Sequence, residues 1–108
     1  MSEPIAAIAT APGGAIGIIR ISGEGADAAL GAAFVPVSGK KMSEMPPRML
    51  VYGTLFDRSQ RVIDRCMAVR FPGHQTYTGE PMAELQLHGS PAVLSEALSV
   101  LFAQGVRQ

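Results

Sequence analysis

Arg20 and Glu84 offer the most chemistry in this sequence, because each is a charged side chain set into a short, otherwise apolar run. A carboxylate in that setting can accept two parallel hydrogen bonds from an amino group and an adjacent ring N–H, and a planar guanidinium can stack on or fork around the same heterocycle. Both interactions strengthen when water is excluded. The bland alternative is an ion pair across a sheet, since structural ion pairs perturb charges as binding sites do. His88 directly precedes Gly89 at the end of the Glu84 run and offers a base or a donor. No serine or cysteine stands with it in a nucleophile pattern, so no catalytic residue is assigned.

The run Gly13-Gly14-Ala15-Ile16-Gly17 invites a phosphate-loop reading, with backbone donors cradling an anion at a helix start. It lacks the phosphate-loop lysine and the dinucleotide fingerprint, and it leads into a strand rather than a helix. The better reading is a tight turn that lets the backbone pass close to a neighbour. Cys66, in mid-strand, reads as a small apolar filler. No Cys and His cluster has zinc-like spacing, and no metal site is assigned. His74 reads as a loop residue, and Tyr77 either stacks on a ring or covers the edge of the core.

The elements that must hold these residues follow from periodicity. Ile5 to Thr10 suits a buried strand, and Ile16 to Ser22 returns as a second. Alternation puts Ile16, Ile18 and Arg20 on one face and Gly17, Ile19 and Ile21 on the other. Ala26 to Phe34 has the alanine-rich composition of a helix packed on a sheet, ended by Pro36. Val37 to Pro47 shows no period and reads as a surface connection. Arg48 to Phe56 and Val62 to Phe71 read as an antiparallel hairpin joined by Asp57-Arg58-Ser59-Gln60. Met82 to His88 is the most informative strand: Ala83, Leu85 and Leu87 face the core, and Met82, Glu84, Gln86 and His88 face away. Ser90-Pro91 starts a helix, serine supplying a side-chain cap and proline the first position, and Gly105 stops it. Val106 to Gln108 reads as the beginning of another strand. The expected fold is α+β, a small mixed or antiparallel sheet with two helices.

Composition sets the bounds. The 108 residues carry nine Lys plus Arg against nine Asp plus Glu, and 47% are hydrophobic, which fits one modest domain and excludes disorder of the whole chain. Zero net charge lacks the footprint of a dedicated nucleic-acid binder. A single cysteine fits a reducing cytoplasm, and the absence of a leader or a membrane span predicts a soluble domain. Twelve glycines and eight prolines argue against a helical bundle.

The order of several stretches resembles a known family. These are Ile5 to Thr10, Ile16 to Gly23, Phe71-Pro72, Tyr77-Thr78-Gly79-Glu80, Glu84-Leu85, His88-Gly89 and Pro91-Ala92-Val93-Leu94. Together they resemble the N-terminal domain of the tRNA-modification GTPases called MnmE or TrmE. The likeness runs from about Ile5 to the last residue, with nothing to match in Val37 to Pro47. The chain departs from the pattern in Ala11 to Ala15, which is one residue shorter and lacks an arginine, and at Pro81 and Ser90.

The resemblance implies that residues 1–108 form a folate-binding and dimerisation domain, similar in fold to the folate-binding part of the glycine-cleavage T protein. It implies a homodimer and a reduced folate, 5-formyltetrahydrofolate or a one-carbon-carrying relative, contacted by Arg20 and Glu84, with Tyr77, Gly79 and His88 as candidate walls. The GTP, potassium and magnesium of the family belong to a GTPase domain whose motifs are absent from these residues, so the chain reads as an excised domain. The partner flavoprotein MnmG and tRNA are implied for the whole protein, in which folate and flavin build an aminomethyl-type group on the wobble uridine. The rival expectation is a purely structural dimerisation module in which Arg20 and Glu84 are only an ion pair. A third, an independent small enzyme using His88, would need a nucleophile or metal that the sequence does not display.

Overall fold

Strict alternation in a strand sends every second side chain to the same face, and two such strands set the frame of this protein. The computed structural model describes residues 4–9, 14–76 and 79–107. Strand β1 (Ile5–Ile8) is followed by β2 (Ile16–Ser22), helix α1 (Ala26–Ala33), β3 (Phe34–Pro36), β4 (Val51–Phe56), β5 (Val62–Phe71), β6 (Met82–His88) and helix α2 (Pro91–Ala103). The six strands form one sheet in the order β1-β2-β6-β5-β4-β3, and every pairing between them is antiparallel. The fold is α+β, as expected, with the sheet of the antiparallel kind.

Both helices lie on one face of the sheet. The inward residues of β2 and β6 (Gly17, Ile19, Ile21, Ala83, Leu85 and Leu87) are buried there with Leu30 of α1 and Leu94, Ala97 and Leu101 of α2. Burying each large aliphatic side chain contributes about 1.5–3 kcal/mol, which holds the helix layer to the sheet. Gly17 suits this packing, because a Cβ there would come within 2.7 Å of the Leu94 side chain. Among the described residues no helix is long and apolar enough to cross a membrane.

Several expectations need correction. Helix α1 stops at Ala33, and Phe34, whose N–H still donates to Leu30 O at the helix end, opens an edge strand against β4. Phe34 is fully buried there, so tertiary packing outweighs the helical tendency of the alanine run. Strand β4 begins at Val51 rather than Arg48, because Arg48 takes a left-handed conformation with φ 62. The stretch from Val37 to Pro47 contains a single 3-10 turn, Met42–Glu44, which drops Met42 into the core. Ser90 makes no side-chain cap; its carbonyl accepts from Leu94 N at 3.0 Å while Pro91 sets the first turn. Strand β1 is shorter than expected, and Thr10 lies outside the described residues, as do Ala11 to Gly13 of the glycine turn.

The end of that turn behaves as a close approach. Gly89 N donates to Ala15 O at 3.0 Å, and a Cβ on Gly89 would collide with the Gly14 carbonyl. Glycine at 89 is therefore what lets the chain into β2 directly beside the end of β6. At the other sheet edge, Arg107 pairs in parallel with Ile5, Ala6 N donating to Arg107 O and Arg107 N to Pro4 O, each at 2.8 Å. The expected final strand is present as this bridge.

Candidate functional site

Antiparallel register does for Arg20 and Glu84 what the sequence could only suggest. The two residues are direct partners across β2 and β6, so their side chains leave the same face, the one without helices. Nε of Arg20 donates to Oε1 of Glu84 at 2.9 Å, and Nη2 lies 2.8 Å from the same oxygen. The Glu84 side chain is 14% exposed and that of Arg20 34%. All contacts of Glu84 fall on Oε1, so among the described residues Oε2 accepts no hydrogen bond. An ionised carboxylate has about four acceptor sites, and Arg20 uses those of one oxygen. The ion pair thus orients Glu84 without exhausting it.

This pair opens on a cavity of about 250 Å³ lined by Arg20, Arg48, Phe71, Gln75, Thr76, Met82 and Glu84. Phe71 and Met82 give it apolar walls, and Met82 is nearly fully buried. Two loops complete it. The first is anchored by Arg70, whose Nε and Nη2 donate to Met45 O at 3.1 and 2.8 Å and whose Nη1 lies 3.3 Å from Asp27 Oδ2. Arg48 follows three residues later, its N–H bonded to Arg70 O at 2.9 Å and its Nη2 donating to Gln75 O at 2.9 Å. The second is formed by Pro72 to Thr76 with Gly79 and Glu80. Thr76 Oγ1 donates to Glu80 O, and Ser22 Oγ on β2 donates to Glu80 Oε2 at 3.2 Å.

The other sequence candidates separate from this cavity. Tyr77 lies outside the described residues. Gly79 is an exposed turn residue with φ 79 whose carbonyl faces His74 Nδ1 at 3.3 Å, and it does not line the cavity. His88 is no wall either: four residues along β6 place it about 13 Å from Glu84. There its Nδ1 lies 2.7 Å from Asp64 Oδ1 and its backbone N donates to Asp64 Oδ2 at 2.9 Å. The imidazole is 73% exposed beside a separate hollow of about 200 Å³. His74 is a loop residue, as read, 3.4 Å from Glu24.

Burial first, and the Asp64 carboxylate second, push the Cys66 thiol up to about 12, against a weaker opposing hydrogen bond with the Leu55 backbone. Such a thiol is inert, which agrees with its reading as filler. A larger groove of about 710 Å³ runs between α1 and residues 39–43, but it joins no carboxylate to a guanidinium and holds neither Arg20 nor Glu84. Chemistry rather than size therefore selects the smaller cavity. Arg48, Phe71, Gln75, Thr76 and Met82 were missed as lining residues. The only sequence signal for Arg48 was a cation directly after two prolines and before an apolar strand.

Comparison with known proteins agrees with this architecture. Residues 4–108 match the family model described as GTP-binding protein TrmE N-terminus. A tRNA modification GTPase MnmE of Leptothrix cholodnii is 50% identical over 98 residues, which is 90% of this chain and 19% of that protein. The MnmE proteins of Pseudomonas paraeruginosa and Thermus thermophilus are 44% and 41% identical over 99% of the chain, covering 22% and 24% of their own lengths. The chain thus spans about a fifth to a quarter of the curated relatives it matches. It belongs to the family of N-terminal domains of the tRNA-modification GTPases MnmE, also called TrmE.

Proposed function

We propose that this domain, residues 1–108, binds a reduced folate of the 5-formyltetrahydrofolate type in the Arg20–Glu84 cavity and holds two copies of the chain together. The observation that carries the reading is a largely buried carboxylate whose Oε2 stands open beside apolar Phe71 and Met82. The donor chemistry fits. A pterin presents an amino group and a ring N–H side by side, and a fixed carboxylate accepts both. Arg20 holds Glu84 in place and offers a flat cation at the ring's edge. The folate would supply a one-carbon unit; the residues of this chain bind and orient it and exclude water from one side.

The dimer reading is supported by the helix-free face. Ile5, Ile16, Val35 and Tyr52 on that face are 44–60% exposed, an unusual concentration of large apolar side chains for an isolated surface. In the whole protein, as in the relatives named tRNA modification GTPase, the domain would serve modification of the wobble uridine with MnmG in the cytoplasm, and GTP, potassium and magnesium would act in a GTPase domain outside these residues. The rival, a structural dimerisation module, is favoured by the internal satisfaction of Arg20 by Glu84.

Calorimetry with 5-formyltetrahydrofolate, on protein whose mass is fixed by light scattering, separates the two. Binding by a dimer that is lost in Glu84→Ala, with the dimer intact, supports the folate module. A stable dimer that takes up no folate leaves the structural module, and a monomer overturns the dimer reading.

A further inference from the structure

Three charged residues line the cavity among those described, and their balance is uneven. Arg20 and Glu84 neutralise one another at 2.8 Å, whereas Arg48 reaches only a neutral carbonyl, that of Gln75. The charges are also graded in depth. Glu84 is 14% exposed, Arg20 34%, and Arg48 lies in an exposed stretch at the rim. A ligand matching this gradient has a neutral donor pair at its inner end and an anion at its outer end.

The backbone at Arg48 belongs to this arrangement. A long side chain at φ 62 is disfavoured, and a glycine or asparagine would sit there at lower cost. The left-handed turn ends the Met45 loop and carries the guanidinium over to Gln75 on the opposite loop, so Arg48 bridges the two loops at the mouth. Only one nitrogen of its fork is occupied by Gln75, and Nη1 and Nε remain for a planar anion.

We infer that Arg48 is the specificity residue for the acidic end of the ligand, taking a glutamyl carboxylate of a reduced folate whose ring is held at Glu84. This inference rests on the folate reading of the cavity. A cavity of about 250 Å³ holds a ring system and no more, so the remainder of the molecule must leave through the mouth, where Arg48 stands. A guanidinium and a carboxylate meeting at a partly wet rim give selectivity for the acid over neutral analogues, with an attraction that salt screens.

The test compares 5-formyltetrahydrofolate with its bis-amide, which keeps the ring and the tail but loses both tail charges. Titrations use wild type and Arg48→Gly, a variant that suits the left-handed backbone and so leaves the fold intact. Wild type is expected to bind the acid about tenfold more tightly than the amide, and Arg48→Gly to bind the two alike, at the affinity of wild type for the amide. Arg48→Lys should recover part of the preference. If wild type binds acid and amide equally, or if Arg48→Gly weakens both to the same extent, the Arg48 assignment falls and the folate site stands. If wild type binds neither compound, the folate site itself is wrong and the assignment goes with it.

Discussion

Strand β6 meets a side-chain partner on a neighbouring strand towards each end, and the two ends have become different things. At one end Glu84 meets Arg20 on β2, under two loops and beside Phe71 and Met82. At the other His88 meets Asp64 on β5 with its ring 73% in solvent. The contact distances are nearly the same, 2.8 and 2.7 Å. The two carboxylates are similarly buried, so what separates the ends is the partner: Arg20 stands with Glu84 beside a space where a ligand can replace water, whereas the His88 ring stands in solvent. Charge complementarity between strands is therefore no guide to a site until the surrounding loops are known.

The sharpest break of the comparison is ligand binding. Glu84→Ala should abolish detectable folate binding in calorimetry, whereas His88→Ala should change the affinity by less than about twofold, since about 13 Å of strand separates it from Glu84. A large effect at His88 would show that the two ends act together.

Stability gives the next contrast. Gly89→Ala drives a methyl into the Gly14 carbonyl, a backbone atom with nowhere to go, and should cost about 2–3 kcal/mol in urea unfolding. Gly17→Ala meets the tip of the Leu94 side chain, which can turn aside, and should cost about 1 kcal/mol. Equal costs would mean that the β2 turn yields as readily as a side chain.

Cys66, buried in the core from β5, should resist a disulfide reagent at pH 8 in the native state and react on unfolding. Its folded-state value of about 12 against a reference of 9.0 keeps the proton on in the native state. Unfolding therefore releases a proton between those values, and stability relative to Cys66→Ala should fall as pH rises from 9 towards 12. A flat difference across that window would indicate a wetter thiol. The smallest effect belongs to His88→Ala on stability, a loss of about 0–1 kcal/mol, as for other pairs with one partner in solvent.

The strands holding the site were legible because alternation is local. Met82 to His88 reads as one strand with one polar face, and the structure keeps those limits. Partnership between residues 20 and 84 is not local: it depends on a register that joins distant stretches, and the sequence offered it only as one of two uses of the same charges. The cavity walls were harder still. Arg48 has a left-handed backbone, with its N–H on Arg70 O and its side chain on Gln75 O, which no propensity for arginine foretells. Strand β3 was missed for a similar reason, since an alanine run continues smoothly into Phe34 on propensity alone. Its clue lay elsewhere, in Gly53, where a Cβ would strike Phe34 and Val35 of the neighbouring strand.

The parallel bridge between Ile5 and Arg107 has a consequence for how this sheet can grow. With Pro4 O and Ala6 N already engaged, the start of β1 is closed to another strand, and the opposite border is a three-residue strand ending in Pro36. Both margins are blunted against lateral extension. In the proposed dimer, a second copy of the chain would then meet the open surface of the sheet rather than lengthen it into a ribbon.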